Sequence, residues 1–362
     1  MNQNIKKLGD ILIIQEKSKI KAGEGIDNGK YPFFTCSNDI VKTYNSAQYE
    51  GPALIFGTGG RASVHYCDTH FSTSTDCLIY YPRTPDINLD LVNQYLQTNI
   101  YLLENGFKGA GLKHISRDYI ANIEINLPNI EIQNNIVQKL NKTKNVISNS
   151  KKVLAKYDTL IKSRFIEMFG DPSTNPKGWK TVNISEVLDG NTSNGYFAKR
   201  EEYVADGNVS ILGVANIVNT MYSKIENLPK TNATEKDIKK FAVKYGDILF
   251  CRSSLVAEGI GKASIVPEQL ESTTLFECHV IRLQLDVKKC VPEYLQLLTT
   301  TPFFRTQVLA HAKTSTMTTI GQDGILKSNI LLPPIELQKD FYNFVQQIDK
   351  SKFENNIMEV AA

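Results

Sequence analysis

No stretch of this 362-residue chain approaches the roughly 18 uninterrupted apolar residues that a membrane-spanning helix needs. The opening Met1-Asn2-Gln3-Asn4-Ile5-Lys6 also lacks the apolar core of a secretory signal. A cytoplasmic protein with no membrane partner is expected. Cysteine is sparse and scattered: Cys36, Cys67, Cys77, Cys251, Cys278 and Cys290 include no Cys-x-x-Cys pair, so reduced thiols are expected rather than a disulfide framework or a zinc site. Neither sign of charge dominates. With 41 Lys plus Arg against 38 Asp plus Glu the net charge is +3, which by itself names no partner. Catalytic signatures are missing too: there is no Gly-x-Ser-x-Gly elbow and no His-Glu-x-x-His, and Gly57-Thr58-Gly59-Gly60-Arg61 lacks the Gly-Lys-Ser/Thr ending of a P-loop. The chain is expected to bind rather than react, with no cofactor and no metal of its own.

What is present is an ordinary globular composition, 41% hydrophobic and 22% charged, at a length suited to about two domains. The small basic excess is confined to one segment. Residues 129–168 carry 8 basic and 3 acidic side chains, whereas residues 1–128 carry 12 and 13 and residues 169–334 carry 18 and 17.

The sequence is written twice. Gly60-Arg61-Ala62-Ser63-Val64 returns as Gly261-Lys262-Ala263-Ser264-Ile265, Tyr95-Leu96-Gln97 as Tyr294-Leu295-Gln296, and Ile115 to Gln133 maps onto Ile320 to Gln338. Leu8-Gly9-Asp10-Ile11 more loosely matches Ile184-Ser185-Glu186-Val187. Several motifs in one order at slowly drifting offsets establish a tandem duplication, each copy having the size of a domain plus a tail. Within a copy, short β-type runs such as Ala53-Leu54-Ile55-Phe56 and Cys77-Leu78-Ile79-Tyr80 are bounded by Gly, Pro and Asn. A helical segment follows, Leu91 to Leu103 and again Pro292 to Leu309.

After Pro128 no Gly or Pro occurs until Gly170, so one helix of about 58 Å is predicted over 130–168. Leu140, Ile147, Leu154, Ile161 and Met168 recur every seven residues along it, a coiled-coil seam. From Ile335 a second helix starts the same way, with Phe341, Phe344, Val345 and Ile348 on one stripe. An apolar stripe needs cover. Either the two helices pair with each other, antiparallel, or each packs on its own globule; the first is preferred. The expected fold class is α/β: two similar mixed α/β domains separated by an antiparallel pair of long coiled-coil helices, pseudo-two-fold. The boundaries follow as 1–128, 129–169, 170–334 and 335–362.

The two-copy design, the Leu-Pro-x-Ile-Glu-x-Gln openings at Leu127 to Gln133 and Leu332 to Gln338, and Met168-Phe169-Gly170-Asp171-Pro172 followed by Lys177-Gly178-Trp179 strongly resemble the specificity (S) subunit of type I restriction-modification systems. The likeness covers nearly the whole chain. It implies two target recognition domains, each reading half of a bipartite, asymmetric double-stranded DNA sequence. It also implies helices that set the spacer and dock two methyltransferase (M) subunits, restriction (R) subunits completing the complex, and no chemistry in this chain. The second helix is short for the family. Two competing readings are the recognition part of a self-sufficient restriction-methylation enzyme and a non-DNA helical scaffold.

Phosphate contact is expected from basic positions retained between copies, Arg61/Lys262 and Lys108/Lys313, beside small or hydroxylated residues including Gly109, Gly111, Thr314, Ser315 and Thr316. Thr58 and Lys113 belong to the same loops. Base reading is expected from Ser37 and Asn38 in copy one and from Asn194, Lys199, Arg200, Arg252 and Ser253 in copy two. Helix pairing is assigned to Leu140, Ile147, Leu154 and Ile161 against Phe341, Val345 and Ile348. Lys139, Lys142, Lys144, Lys151, Lys152, Lys156, Lys162 and Arg164 on the first helix face DNA, the M subunits or solvent.

Overall fold

The computed structural model describes residues 4–360 apart from Asn191, Ser315 and Thr316, with side chains described as far as Lys352. The first copy contributes strands β1 (Ile5–Lys7), β2 (Leu12–Ile14), β3 (Tyr31–Phe34), β4 (Lys42–Tyr44), β5 (Tyr49–Glu50), β6 (Ala53–Gly57), β7 (Ser63–Cys67), β8 (His70–Thr73) and β9 (Cys77–Pro82), then helix α1 (Leu89–Thr98) and β10 (Glu124–Asn126). Helix α2 (Ile130–Phe169) follows. The second copy contributes β11 (Lys180–Asn183), β12 (Ser193–Asn194), β13 (Val209–Leu212), β14 (Lys230–Thr231), β15 (Ile248–Cys251), β16 (Ser253–Ser254), β17 (Ala263–Ile265), β18 (Thr274–Phe276) and β19 (Val280–Leu283). It ends with helices α3 (Pro292–Thr299) and α4 (Pro302–Ala310), strands β20 (Lys313–Thr314), β21 (Thr318–Thr319) and β22 (Asn329–Leu332), and helix α5 (Ile335–Val360). By compactness the chain divides into two units, Met1–Ser148 and Asn149–Ala362, with the division inside α2.

The copies share a topology. A four-stranded sheet runs β2-β9-β6-β7 in one and β12-β19-β15-β17 in the other, and a second sheet sets β3 parallel to β8 just as β13 lies parallel to β18. The first strand of each copy returns to the last, β1 to β10 and β11 to β22. The Leu8 amide then donates to the Ile123 carbonyl as Ile184 does to Ser328, so the loosest of the sequence matches is a structural equivalence. The predicted Pro292–Leu309 helix is in fact two, because Pro302 cannot donate the bond that would continue the first.

The repeated Leu-Pro-x-Ile-Glu-x-Gln motif has a mechanical purpose. Gln133 is buried, and its Nε2 donates to the Pro128 and Asp86 carbonyls at 2.7 and 3.0 Å while its Oε1 accepts from the Asn88 amide at 2.8 Å. Gln338 repeats the clasp on Pro333, Lys289 and Val291 at 2.8, 3.3 and 2.9 Å. Each glutamine therefore fastens the start of a long helix to the entry of the domain helix. Gln338→Leu leaves a buried amide and two carbonyls without their partner, and a loss of about 1–3 kcal/mol in the second unit, read by urea denaturation, is expected.

Helix α2 begins at Asn129, whose side chain accepts from the Ile132 amide, and ends where Gly170 adopts φ +80°, a left-handed position that favours glycine. The Trp179 indole donates to the Phe169 carbonyl at 2.8 Å, and Asn175 exchanges two bonds with the Trp179 backbone. The Phe-Gly-Asp-Pro…Lys-Gly-Trp segment is thus a clasp on the helix terminus.

In the second unit α2 meets α5 antiparallel. Phe165 and Phe169 lie 5.7 and 5.6 Å from Phe341, and one segment earlier Asp158 takes an ion pair from Lys352 at 3.0 Å. Ile161, Phe341 and Val345 are buried in one core cluster, with Ile348 packed against it. Leu154 is half-buried. Leu140 and Ile147, which belong to the first unit, are 39% and 50% exposed.

Candidate nucleic-acid interface

In the first unit three loops are stitched together, the two that follow β3 and β6 and the segment 107–114. The Gly59 amide donates to the Cys36 sulfur at 3.3 Å, the Gly60 amide to the Lys113 carbonyl at 3.1 Å, and Ser63 Oγ to the Cys36 carbonyl. His65, buried and pushed below its usual pKa by that burial, donates from Nε2 to the Ser37 carbonyl at 2.8 Å. Lys108 and His114 exchange backbone bonds that close the third loop. These bonds gather Ser37, Asn38, Arg61, Lys108 and Lys113, all exposed, around Thr58. The Thr58 hydroxyl itself is spent on the Asp76 carbonyl at 2.7 Å. What the arrangement offers is three free cations and two short polar side chains on a rigid backbone, a combination that suits phosphate contact plus base-edge reading.

The second unit rebuilds the third loop as a small sheet, β16-β21-β20. Lys313 pairs with Thr319 just as Lys108 pairs with His114, so that match holds structurally. Ser315 and Thr316 lie outside the described residues. Lys313 is exposed, Arg252 is half-buried with its guanidinium donating to the Cys278 carbonyl at 3.2 Å, and Asn194 accepts from Gln322 at 3.2 Å. Lys199 and Arg200 are exposed on a short turn whose Glu202 carbonyl is held by Thr231 of β14.

Two expectations need correcting. Ser253 is only 7% exposed, because it is a ladder residue opposite Thr319, and it presents no side chain to a groove. Lys262 is not the counterpart of Arg61: its carbonyl accepts from Cys251 at the end of the β15 ladder, whereas Arg61 lies in the turn beyond the last β6–β7 pair, Gly57 with Ser63. The Lys262 ammonium donates to Asn219 at 2.6 Å and lines a cavity of about 600 Å³ with Gln296 and Arg305. The loop between the paired residues has five residues in the first hairpin, 58–62, and ten in the second, 252–261, and this difference misaligned the sequence match.

Apolar tips of the loops escaped the sequence reading. Leu112 and Val41 are 69% and 68% exposed in the first unit, and Leu255 and Phe197 are 83% and 66% exposed in the second. They stand next to Lys113, Asn38, Ser253 and Lys199 in sequence or within a few residues of them. A single Leu after Gly109-Ala110-Gly111 was the available signal, since an apolar side chain in a glycine-rich loop has no core to enter. No three His, Cys, Asp or Glu side chains converge as a metal site among the described residues, and none of the described helices is long and apolar enough to cross a membrane.

Known proteins resemble this arrangement. The specificity subunit of the type I restriction enzyme EcoKI, from Escherichia coli K12, is 28% identical over 120 residues, 32% of this chain and 25% of that protein. The EcoDI specificity subunit from Escherichia coli is 25% identical over 134 residues, 37% of this chain and 29% of that protein. The matched stretches thus span under a third of these curated relatives. The solved S subunit of a type I restriction-modification system from M. genitalium shares the fold over 99% of this chain and 92% of its own length, at a TM-score of 0.67 and 11% identity. A chain solved for the complex assembly and conformational transition of a type I system matches at 0.52 and 15%, over 99% and 93%. The family described as type I restriction modification DNA specificity domain matches twice, over residues 2–156 and 176–360. Two matches that together take in nearly every residue place this chain in that family.

Proposed function

We propose that this chain is the non-catalytic DNA-recognition subunit of a type I restriction-modification complex, each copy reading one half of a split, asymmetric duplex target. The observation that carries the reading is the convergence of Arg61, Lys108 and Lys113 with Ser37 and Asn38 on three hydrogen-bonded loops. The second copy supplies Lys313 on the equivalent strand and Lys199, Arg200 and Arg252 nearby. Because the loops differ between copies, the two half-sequences differ. Near-neutral globules leave part of the phosphate attraction to partner subunits.

The helices set the gap between half-sites and dock two M subunits, which R subunits join. The exposed stripe at Leu140 and Ile147, flanked by Lys139, Lys142 and Lys144, supplies apolar area with a basic rim for that docking. Gel-shift titrations with and without the cognate M subunits test the assignment. Tight, sequence-dependent binding in their presence is expected, and its absence with both would reject it. Within the same assay, Asn38→Ala should lower discrimination at a single position of one half-site by about 1–3 kcal/mol and leave the other half untouched.

A further inference from the structure

Two thiols meet beneath the first unit's loops. Cys36 follows β3 and Cys77 opens β9: the Cys36 thiol donates to the carbonyl of Asp76, the residue before Cys77, at 3.2 Å, and Gly57, the ladder partner of Cys77, would place a Cβ 3.3 Å from the Cys36 Cβ. Cys36 is half-exposed, with the Gly59 amide pointing at its sulfur from 3.3 Å; Cys77 is fully buried, its sulfur 3.6 Å from the Phe34 carbonyl. One accessible sulfur with an amide donor beside one sheltered sulfur is the geometry of an attacking and a resolving thiol. We propose that Cys36 and Cys77 form a peroxide-sensitive dithiol, oxidised through Cys36 to an intramolecular disulfide.

The step balances. The Cys36 thiolate attacks the terminal oxygen of a hydroperoxide and the O–O bond breaks. Cys36 becomes a sulfenic acid, and the released alkoxide takes the proton that Cys36 had shed, leaving as an alcohol. Cys77 sulfur then attacks Cys36 sulfur, the S–O bond breaks, and water leaves with the Cys77 proton. Two electrons pass from the thiol pair to the peroxide.

The local electrostatics agree. The Cys77 thiol first, then the Gly59 and Thr58 amides, bring Cys36 down to about 6, against burial and the Asp76 carboxylate. Contact with Cys36 and then burial push Cys77 up, so of the two sulfurs the exposed one ionises first. Other titratable groups nearby are Asp39 on the Cys36 loop, His65 on β7 and His114 on the third loop. A Cβ built on Gly59 would lie 3.2 Å from His114 and 3.9 Å from the Cys36 sulfur. Cys278 is the internal control: also half-exposed, it is raised by burial and by Glu277.

Peptide mass spectrometry of the full chain after brief hydroperoxide treatment tests the proposal. A Cys36–Cys77 cross-linked peptide should form in about tenfold excess over any other pair and vanish on reduction. Cys77→Ser should trap Cys36 as a dimedone-reactive sulfenic acid, and Cys36→Ser should leave Cys77 unmodified. Iodoacetamide labelling of Cys36 should reach half-maximum at a lower pH than that of Cys278. Sulfinic acid on Cys36 with no cross-link, or labelling of Cys36 with the pH profile of Cys278, overturns it. These readouts on wild type need neither the variants to fold nor DNA to bind. If the DNA reading also holds, oxidation pulls the Cys36 sulfur from Gly59 and weakens binding of the first half-site only, reversibly on reduction.

Discussion

Phe165→Ala is expected to lower the unfolding free energy of the second unit by about 3–5 kcal/mol, the largest stability loss of any single truncation considered. Phe165 is 1% exposed and stacks on Tyr294 of α3 at 5.6 Å while meeting Phe169 at 5.0 Å and Phe341 of α5 at 5.7 Å. Three chain segments therefore converge on one ring. Removing it opens a cavity that the surrounding aromatics can only partly close, and loses the edge-to-face contact as well. Leu140→Ala, on the same helix but exposed, should change stability by no more than about 0.5 kcal/mol. Urea denaturation of both variants, with hydrogen exchange to localise the loss, measures the contrast. It also separates the two roles of the helix, because Leu140→Ala should weaken assembly with M subunits while leaving the fold intact.

The second large effect concerns salt. Replacing Arg61, Lys108 and Lys113 together by Ala removes three exposed cations that converge on one loop cluster. Each phosphate contact contributes about 0.9 to the slope of log affinity against log salt, so the slope should fall by nearly three. Between about 50 and 200 mM salt the native protein should then lose about 40-fold more affinity than the variant. Lys262→Ala is the control. Its ammonium is committed to Asn219 inside the cavity, and the slope should not move. Equal effects from Lys262 and from the triple variant would contradict the interface as drawn.

Much of this was legible in the sequence, for identifiable reasons. The duplication, the long helix and its boundaries followed from motif order and from the gap in Gly and Pro between Pro128 and Gly170, because such signals are local. Gln133 and Gln338 were visible as repeated residues, but their clasp on Asp86 and Lys289 joins segments 47 and 49 residues apart, and no periodicity reports that. Arg61 and Lys262 were aligned by chemical similarity across hairpins of different length; only the ladder partners, Ser63 for Gly57 and Lys262 for Cys251, reveal the slip. Ser253 looked like a loop residue because a two-residue strand has no sequence pattern to announce it. Heptad spacing identified the stripe, yet spacing cannot say which of its residues are covered: Ile161 is buried and Ile147 is not.

The measurement that bears most directly on the account is the map of methylated adenines in the host genome with and without this gene, partner genes being expressed. One split, asymmetric motif should disappear on deletion, and transplanting loops 35–39, 57–62 and 107–114 from a relative should change one half of that motif alone. A methylation map that is identical with and without the gene would contradict the reading of this chain as the part that chooses the DNA.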